Sequence, residues 1–375
     1  MRRVCPTQSR RGAETAKKLR EFSDVLEIRN GKDQKKVETA DGIYPIYGSG
    51  GKMGRASAYI CPGETVVIGR KGSINNPIFV HEPFWNVDTA FGLIAKEGVL
   101  NPSYLFHFCR SFDFSSLSTT VTIPSLTKAN LLKVQLPLAS LAEQKRIAAV
   151  LDKICELKKN AETRLEKLDA LVKSRFVEMF GDLSGSSFPR STIGEVCEVK
   201  SGGTPDRKVR EYWENGDIPW VKTTELKNCE LYDSEEHITS LAMSESSAKL
   251  VPPETILLAM YGQGRTRGMT AKLKIAATTN QACACILPSR KIDQDYLWHY
   301  LVLSYEKIRA LAQGAGQPNL NGKMIRSFGV PLPPLALQRE FAAFVEKIDK
   351  LRETARQTVK AMDTLYRAKL QEFFG

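Results

Sequence analysis

An internal repeat constrains the fold of this chain more than any other feature of its sequence. When the sequence is slid by 194 residues, positions 137–181 fall on positions 331–375 without a gap, and sixteen of the 45 aligned pairs are identical. Upstream of this block the match continues with small shifts, as in Tyr104-Leu105 and Tyr296-Leu297. Self-similarity at a fixed offset indicates a repeated structural unit, so the chain is predicted to contain two copies of one plan.

The back part of each copy is predicted to be one long helix. Positions 141–180 and 335–374 contain neither proline nor glycine, and their apolar residues are spaced by three and four, which is the period of a coiled-coil seam. A helix of forty residues spans about 60 Å and needs a partner for its apolar stripe. Because duplicated units tend to pair about a pseudo-two-fold axis, we expect the two helices to pack antiparallel against each other.

The front part of each copy has short apolar runs rich in β-branched residues, separated by glycine and proline, and is predicted to be mixed strand and helix. The expected fold class is therefore α/β (mixed α+β), with two globular domains separated by two long antiparallel coiled-coil helices. The predicted boundaries are a basic leader at 1–20 without stable structure, globular domains at 21–140 and 182–333, and helices at 141–181 and 334–375.

Charge and cysteine content give weaker information. The net charge is +12, but half of this excess lies in positions 1–20, which hold seven cations and one anion, so the overall charge alone does not establish nucleic-acid binding. No apolar segment is long enough to span a membrane, and no secretory signal follows the basic start. The eight cysteines are therefore interpreted as reduced thiols of a cytoplasmic protein, and no metal site is predicted.

Two strings carry a family resemblance. The first is the segment 192–227, with Gly202-Gly203-Thr204-Pro205 and Ile218-Pro219-Trp220, and the second is Gln317-Pro318-Asn319-Leu320 followed by positions 330–335. They resemble the opening of a target-recognition domain and its junction into the long helix in DNA-specificity subunits of type I restriction–modification enzymes. The first half of the chain carries weaker versions of both. The similarity covers roughly residues 21–375.

The resemblance implies a function without catalysis in this chain. It implies two target-recognition domains that each read one half of a bipartite, asymmetric site in double-stranded DNA. The helices would set the spacing and bind two methyltransferase subunits, through which restriction and translocase subunits join. The chain itself would need no cofactor, since S-adenosylmethionine, ATP and Mg²⁺ would serve those partners. No membrane partner is expected.

Candidate DNA contacts lie in glycine-rich turns at equivalent places in the repeat. One turn follows the predicted strand 65–69 and the other follows 256–260. Glycine lets a loop approach a duplex closely, and arginine can bind guanine or phosphate through two hydrogen bonds. Solvated turns without a DNA role are the alternative. The candidate DNA contacts in these two turns are Arg70, Lys71, Ser73, Asn75, Tyr261, Gln263, Arg265 and Arg267. Further candidates outside them are Lys52 and Arg55, at the glycine-rich stretch 48–54, and Lys222, Thr223 and Thr224, which follow Trp220.

The starts of the two helices are the candidate partner surface, because they lie beside the predicted recognition domains. The candidate partner contacts are Leu141, Gln144, Arg146, Leu335, Gln338 and Arg339. Two other functions remain open. One is a protein-binding coiled-coil scaffold without DNA specificity, and the other is a nuclease or methyltransferase acting by itself.

Overall fold

The computed structural model describes residues 18–118, 125–182, 187–262, 264–312 and 319–375. The chain forms two compact units. Unit 1 comprises residues 1–162 and 356–375, and unit 2 comprises residues 163–355. The predicted leader 1–20 falls largely outside the described residues, but its last three residues belong to a strand. The four predicted domain boundaries stay predictions, since the compact units divide the chain within the two long helices.

The first part of the chain begins with nine strands and three short helices. Their bounds are β1 (Lys18–Glu21), α1 (Phe22–Val25), β2 (Leu26–Asn30), β3 (Tyr44–Gly48), β4 (Gly51–Ala56), β5 (Thr65–Gly69), β6 (Ile78–Val80), β7 (Trp85–Asn86), β8 (Ala90–Ala95), α2 (Pro102–Ser111), α3 (Lys128–Leu132) and β9 (Gln135–Leu138). A 3₁₀ turn, Phe114–Leu117, follows α2. The first long helix, α4, is Leu141–Phe180.

The second part of the chain repeats this order with additions. Its elements are β10 (Arg190–Thr192), α5 (Ile193–Val196), β11 (Val199–Ser201), β12 (Ile218–Val221), β13 (Cys229–Leu231), β14 (Glu236–Ile238), α6 (Ser240–Glu245), β15 (Ile256–Ala259), β16 (Thr270–Leu273), β17 (Thr278–Thr279), β18 (Cys283–Ile286), α7 (Gln294–Leu303), α8 (Tyr305–Ala310), α9 (Gly322–Arg326), β19 (Gly329–Pro331) and α10 (Leu335–Phe374). Three 3₁₀ turns are described in the chain beyond these elements, and two of them, Arg210–Tyr212 and Thr223–Glu225, lie in this part.

The sheets of the two units have the same topology. Unit 1 has a main sheet in the order β2-β8-β5-β6 and a small sheet in the order β4-β3-β7. Unit 2 has a main sheet in the order β11-β18-β15-β16, extended by β13, and a small sheet in the order β14-β12-β17. In each small sheet the central strand pairs antiparallel with one neighbour and parallel with the other. The central strands β5 and β15 are buried along their whole length, as their β-branched and aliphatic residues predict.

The repeat extends to individual hydrogen bonds. The hydroxyl of Tyr104 donates to the carbonyl of Pro137, and the hydroxyl of Tyr296 donates to the carbonyl of Pro331. A threonine at the start of each buried central strand donates to a proline carbonyl three residues earlier, at 2.8 Å in unit 1 and 2.7 Å in unit 2. Matching contacts at matching positions indicate that the two units share a framework and not merely a sequence pattern.

The two long helices are present, and their segments run antiparallel within each unit. In unit 1, Nζ of Lys158 on α4 lies 2.7 Å from Oδ1 of Asp363 on α10. Closer to the start of α4, Arg146 lies near Glu372 at the end of α10. In unit 2, Arg352 lies 2.6 Å from Asp169. As the residue number increases along α4, the residue number of the contacting side chain on α10 decreases, which is the pattern of antiparallel helices.

The predicted seam is buried, and the polar residues that interrupt it make ion pairs across the helices. In unit 2 the pairs Asp169–Arg352 and Arg175–Glu340 join α4 to α10, and the rings of Phe176 and Phe341 meet edge to face. Buried seam residues include Ile147, Leu151, Ile154, Ala161, Leu168, Val172, Phe341, Val345, Ile348, Ala355, Tyr366 and Phe373. The predicted fold class, with its two long antiparallel helices, is confirmed. Among the described residues, no helix is both long and apolar enough to cross a membrane.

Candidate nucleic-acid interface

In unit 1 the ends of β3 and β5 meet at one edge of the fold. Residues 87–89 connect β7 to β8 and hold both ends, because Val87 N donates to the carbonyl of Tyr47 and Arg70 N donates to the carbonyl of Thr89, at 3.0 and 2.7 Å. The β3–β4 turn is close to this point, since a Cβ placed on Gly69 would lie 3.0 Å from Cβ of Ser49. We call residues 70–75 loop A.

Loop A presents cations without carboxylate partners. Arg70, Lys71 and Ser73 are exposed, and among the described residues neither Arg70 nor Lys71 makes an ion pair. The guanidinium of Arg70 lies 5.8 Å from the ring centre of Phe91. The backbone at the start of the loop is held on both sides of Arg70, since Arg70 N donates to the carbonyl of Thr89 at 2.7 Å and Leu126 N donates to the carbonyl of Arg70 at 2.9 Å. Exposed cations on a fixed backbone are suited to binding phosphate oxygens.

Asn75 makes its hydrogen bonds within unit 1. Its amide donates to Asp113 Oδ1 at 2.7 Å and to Ser115 Oγ at 2.8 Å, and its Oδ1 accepts from Phe114 N at 2.8 Å. A DNA contact by Asn75 stays a prediction, and the structure adds that the polar atoms of this exposed side chain bind the turn after α2. Its position in a glycine-containing turn did not reveal partners that lie about forty residues later in the sequence.

Lys52 and Arg55 lie on β4, next to loop A through the β3–β4 turn. Both are exposed, and neither forms an ion pair within the described part of the chain. Arg55 donates one hydrogen bond to the carbonyl of Gly42 at 3.2 Å, which leaves other donors of its guanidinium available. Lys52 pairs with Tyr47 next to the turn, whereas Arg55 pairs with Pro45 farther along β3, so Lys52 is the one of the two that lies nearer loop A.

In unit 2 the loop after β15, residues 261–268, occupies the place of loop A, and we call it loop B. Met260 N donates to the carbonyl of Ala282 at 2.8 Å, as Arg70 N does to Thr89. Tyr261 and Arg265 are exposed, Arg267 is half-buried, and Nε of Arg267 is buried with no hydrogen-bond partner among the described residues. Neither arginine forms an ion pair in that part of the chain. Gln263 lies outside the described residues.

Lys222 is paired with two carboxylates. Its Nζ donates to Glu236 at 2.8 Å and lies 3.0 Å from Glu235, and the hydrogen bonds that these carboxylates accept, that to Glu236 first, raise the pKa of Lys222. The contact of Lys222 with DNA stays a prediction, and the structure adds that two carboxylates lie beside the ammonium. Thr224 is exposed and Thr223 half-buried in the 3₁₀ turn that follows β12, so the structure leaves both as candidates.

Sequence reasoning missed the group that surrounds Lys222. The guanidinium of Arg207 lies 3.7 Å from the ring centre of Trp213 and 4.6 Å from that of Trp220, and it also pairs with Glu236. Trp220 itself is buried and donates to the carbonyl of Gly203 at 3.0 Å. No local signal identifies this cluster, because its members come from separate segments joined only by the small sheet.

Gln144 and Gln338 are buried, and their placement on a partner surface is corrected. Gln144 Oε1 accepts from Asn101 N at 2.8 Å, and its amide donates to two carbonyls, those of Val99 and Ala139. Gln338 makes the matching contacts, accepting from Asp293 N at 2.8 Å and donating to Pro333 at 2.7 Å. Both side chains tie the start of a long helix to the globular part of its own unit.

The other four predicted partner contacts remain accessible to some degree. Leu141 and Leu335 are half-buried, and Arg146 and Arg339 are exposed. Arg146 is bound to Glu143 on the same helix at 2.7 Å. Their role in binding a partner stays a prediction.

Comparison with known proteins decides the family. The family model described as the type I restriction modification DNA specificity domain matches residues 15–169 and again residues 187–361. Two matches in one chain agree with the duplicated topology. The chain belongs to this family.

Two curated relatives are named as specificity subunits of type I restriction enzymes. The chain is 28% identical over 220 residues to the type I restriction enzyme EcoR124I/EcoR124II specificity subunit of Escherichia coli, covering 57% of this chain and 54% of the relative. It is 29% identical over 204 residues to the MjaIX specificity subunit of Methanocaldococcus jannaschii, covering 52% and 46%. The chain thus spans about half the length of these relatives.

Solved structures support the fold. The structure of a type I restriction–modification S subunit from M. genitalium matches with a TM-score of 0.69 at 17% identity, covering 96% of each chain. A second structure, described as concerning complex assembly and conformational transition of the type I R-M system, matches with a TM-score of 0.56, covering 95% and 97%. At this identity the likeness concerns the fold alone.

Proposed function

We propose that this chain acts as the DNA-specificity subunit of a type I restriction–modification enzyme, without catalytic activity of its own. In this proposal each unit reads one half of a bipartite, asymmetric site in double-stranded DNA. Two methyltransferase subunits bind the chain, and restriction and translocase subunits join through them. S-adenosylmethionine, ATP and Mg²⁺ serve these partners, and this chain holds no cofactor.

One observation supports the proposal: the same strand topology occurs twice, and each copy presents cations without ion-pair partners among the described residues, in a glycine-containing loop at the same sheet edge. Loop A contributes Arg70 and Lys71, while loop B contributes Arg265 and Arg267. Phosphate contacts fix the register of a protein on DNA, and contacts to base edges select the sequence. Because the loops differ in sequence while the frameworks match, the two units are expected to select different half-sites.

Methylation mapping tests the biological role. The gene is expressed with its candidate methyltransferase partner in a host that lacks both, and modified-base sequencing is compared with that of a host that receives the methyltransferase alone. The proposal expects one new bipartite adenine motif. Identical methylation patterns, with good expression of both proteins, would refute it.

Salt-dependent binding separates a DNA reader from a protein scaffold. The purified complex is titrated with a duplex that contains the mapped motif and with a scrambled duplex, at rising salt concentration. A DNA reader prefers the motif and loses affinity steeply with salt, because bound phosphates release counterions. A scaffold without DNA specificity gives equal and weak binding to both duplexes.

A further inference from the structure

Loop B is held in shape by two side chains from the short helix α8. Nη1 of Arg309 donates to the carbonyls of Gly264 and Arg267, both at 2.9 Å. The hydroxyl of Tyr305 donates to the carbonyl of Arg265 at 2.7 Å, and Arg309 Nη1 also lies 3.0 Å from this hydroxyl. Three carbonyls of the loop are therefore bound by two adjacent side chains.

The loop needs this support because its own sequence makes it pliable. Gly262, Gly264 and Gly268 all have positive φ, at 140°, 60° and 88°. Glycine has the largest conformational freedom of any residue, so a loop with three such positions is costly to order. The packing is also close, since a Cβ on Gly268 would lie 3.1 Å from Cγ of Arg309. Order that exists before binding does not have to be acquired at the interface.

Loop A is anchored at the equivalent place in unit 1. Asn75 binds Asp113, Phe114 and Ser115 through its amide and its carbonyl oxygen. At the offset of 192 residues that aligns Tyr104 with Tyr296, Asp113 falls on Tyr305. In unit 1 the segment after α2 anchors loop A, which follows β5. In unit 2 the helix after α7 anchors loop B, which follows β15.

We propose that Tyr305 and Arg309 are positioning residues that fix loop B for DNA reading, and that Asn75 with Asp113 does the same for loop A. This inference rests on the proposed function. It assigns to Arg309 a role other than neutralising phosphate: the guanidinium binds backbone carbonyls, and Arg265 and Arg267 face the DNA. Loss of the anchor should weaken recognition of one half-site and leave the other half-site unchanged.

The main test compares Arg309→Lys and Tyr305→Phe with Arg265→Gln in the full chain bound to its methyltransferase. Arg309→Lys keeps the charge, but its side chain is one bond shorter and does not bring an ammonium to the position from which Nη1 binds both carbonyls. Tyr305→Phe removes one hydrogen bond only. Dissociation constants are measured with the full motif, with each half-site scrambled, and with a nonspecific duplex. We expect Arg309→Lys to weaken binding to the full motif roughly 10- to 100-fold. The nonspecific affinity and the salt slope should not change.

Arg265→Gln is the matched contact variant. It should lower both specific and nonspecific affinity and reduce the salt slope by about one phosphate contact. Asn75→Ala is the counterpart in unit 1, and it should relax selectivity at the other half-site. Amide hydrogen exchange should show faster exchange in residues 264–268 of Arg309→Lys and Tyr305→Phe, with thermal midpoints lowered by no more than roughly 2–8 °C, which leaves both variants folded at the assay temperature.

The outcomes separate this inference from the proposed function. If the wild-type complex does not prefer its motif, the proposed function fails. If the wild type is selective but Arg309→Lys and Tyr305→Phe keep wild-type affinity and exchange, the positioning role is refuted. It is also refuted if Arg309→Gln lowers the salt slope as Arg265→Gln does, since Arg309 would then contact phosphate. If Arg309→Lys fails to fold, Tyr305→Phe decides by the same measurements.

Discussion

The substitution Gln144→Ala tests whether this side chain stabilises the fold from a buried position or contacts a partner protein. The side chain is fully buried and makes three hydrogen bonds, to Asn101 N at 2.8 Å, to the carbonyl of Ala139 at 2.9 Å and to that of Val99 at 3.1 Å. Gln144→Ala leaves all three backbone groups without this partner. A hydrogen bond contributes about 1 kcal/mol net, and an unsatisfied buried group costs about 1–3 kcal/mol.

The expected loss of stability is therefore about 3 kcal/mol for Gln144→Ala, with water entering the vacated space as the main factor that would reduce it. For a unit of this size, each kcal/mol lowers the thermal midpoint by about 2–4 °C, so a fall of roughly 6–12 °C is expected. Gln338→Ala should cost less, about 2 kcal/mol, because two hydrogen bonds are described for that side chain.

Urea unfolding followed by circular dichroism, together with thermal melts, measures both effects. Gln135→Ala is the matched control, because Gln135 is an exposed glutamine of the same unit. The control should shift the midpoint by less than about 1 °C, as surface substitutions usually do. The reasoning is refuted if Gln144→Ala melts like the control and instead loses its methyltransferase partner on co-purification, since the side chain would then belong to an interface.

Three further predictions concern His299, Lys222 and residues 182–333. Burial, helped by the charges of Arg352 and Lys272, lowers the pKa of His299 to about 3. The unfolded state, with a pKa of about 6.5, therefore binds a proton first as pH falls. The free energy of unfolding should drop by about 1.4 kcal/mol from pH 7.5 to 5.5 on this account, and His299→Gln should remove that part of the slope in urea titrations read by tryptophan fluorescence. Lys222→Met should leave the salt slope of DNA binding unchanged, and a fall by one contact, as for Arg265→Gln, would identify Lys222 as a phosphate ligand. Replacing residues 182–333 by the corresponding part of another family member should change one half of the methylated motif, and a change in both halves would contradict independent reading.

The long helices could be predicted because their signal is local. Forty residues without proline or glycine and a regular apolar spacing determine a helix and its buried face without knowledge of the rest of the chain. The duplicated topology could be predicted for a similar reason, since the offset of 194 residues is visible in the sequence itself. Even the charged interruptions at Lys158 and Arg352 were visible, although their partners on the opposite helix were not.

The roles of single polar side chains could not be predicted, because they depend on residues distant in sequence. Asn75 is a residue type that often contacts DNA, but in the folded chain its amide donates hydrogen bonds to Asp113 and Ser115. Lys222 is paired with Glu235 and Glu236, which the pairing of β12 with β14 in the small sheet brings beside it. In each case the residue type was compatible with two roles, and only the tertiary neighbours distinguish them.

The two anchors differ in a way that bears on how recognition can change. Loop A is held by one of its own side chains, Asn75, so a substitution there removes the anchor together with any contact. Loop B is held through its backbone carbonyls by Tyr305 and Arg309, which lie outside the loop. Hydrogen bonds to backbone carbonyls do not depend on which side chains the loop carries, since every residue has a backbone carbonyl. Positions such as 265 can therefore vary without loss of the loop's shape, and under the proposed function unit 2 would have the freer route to a new half-site.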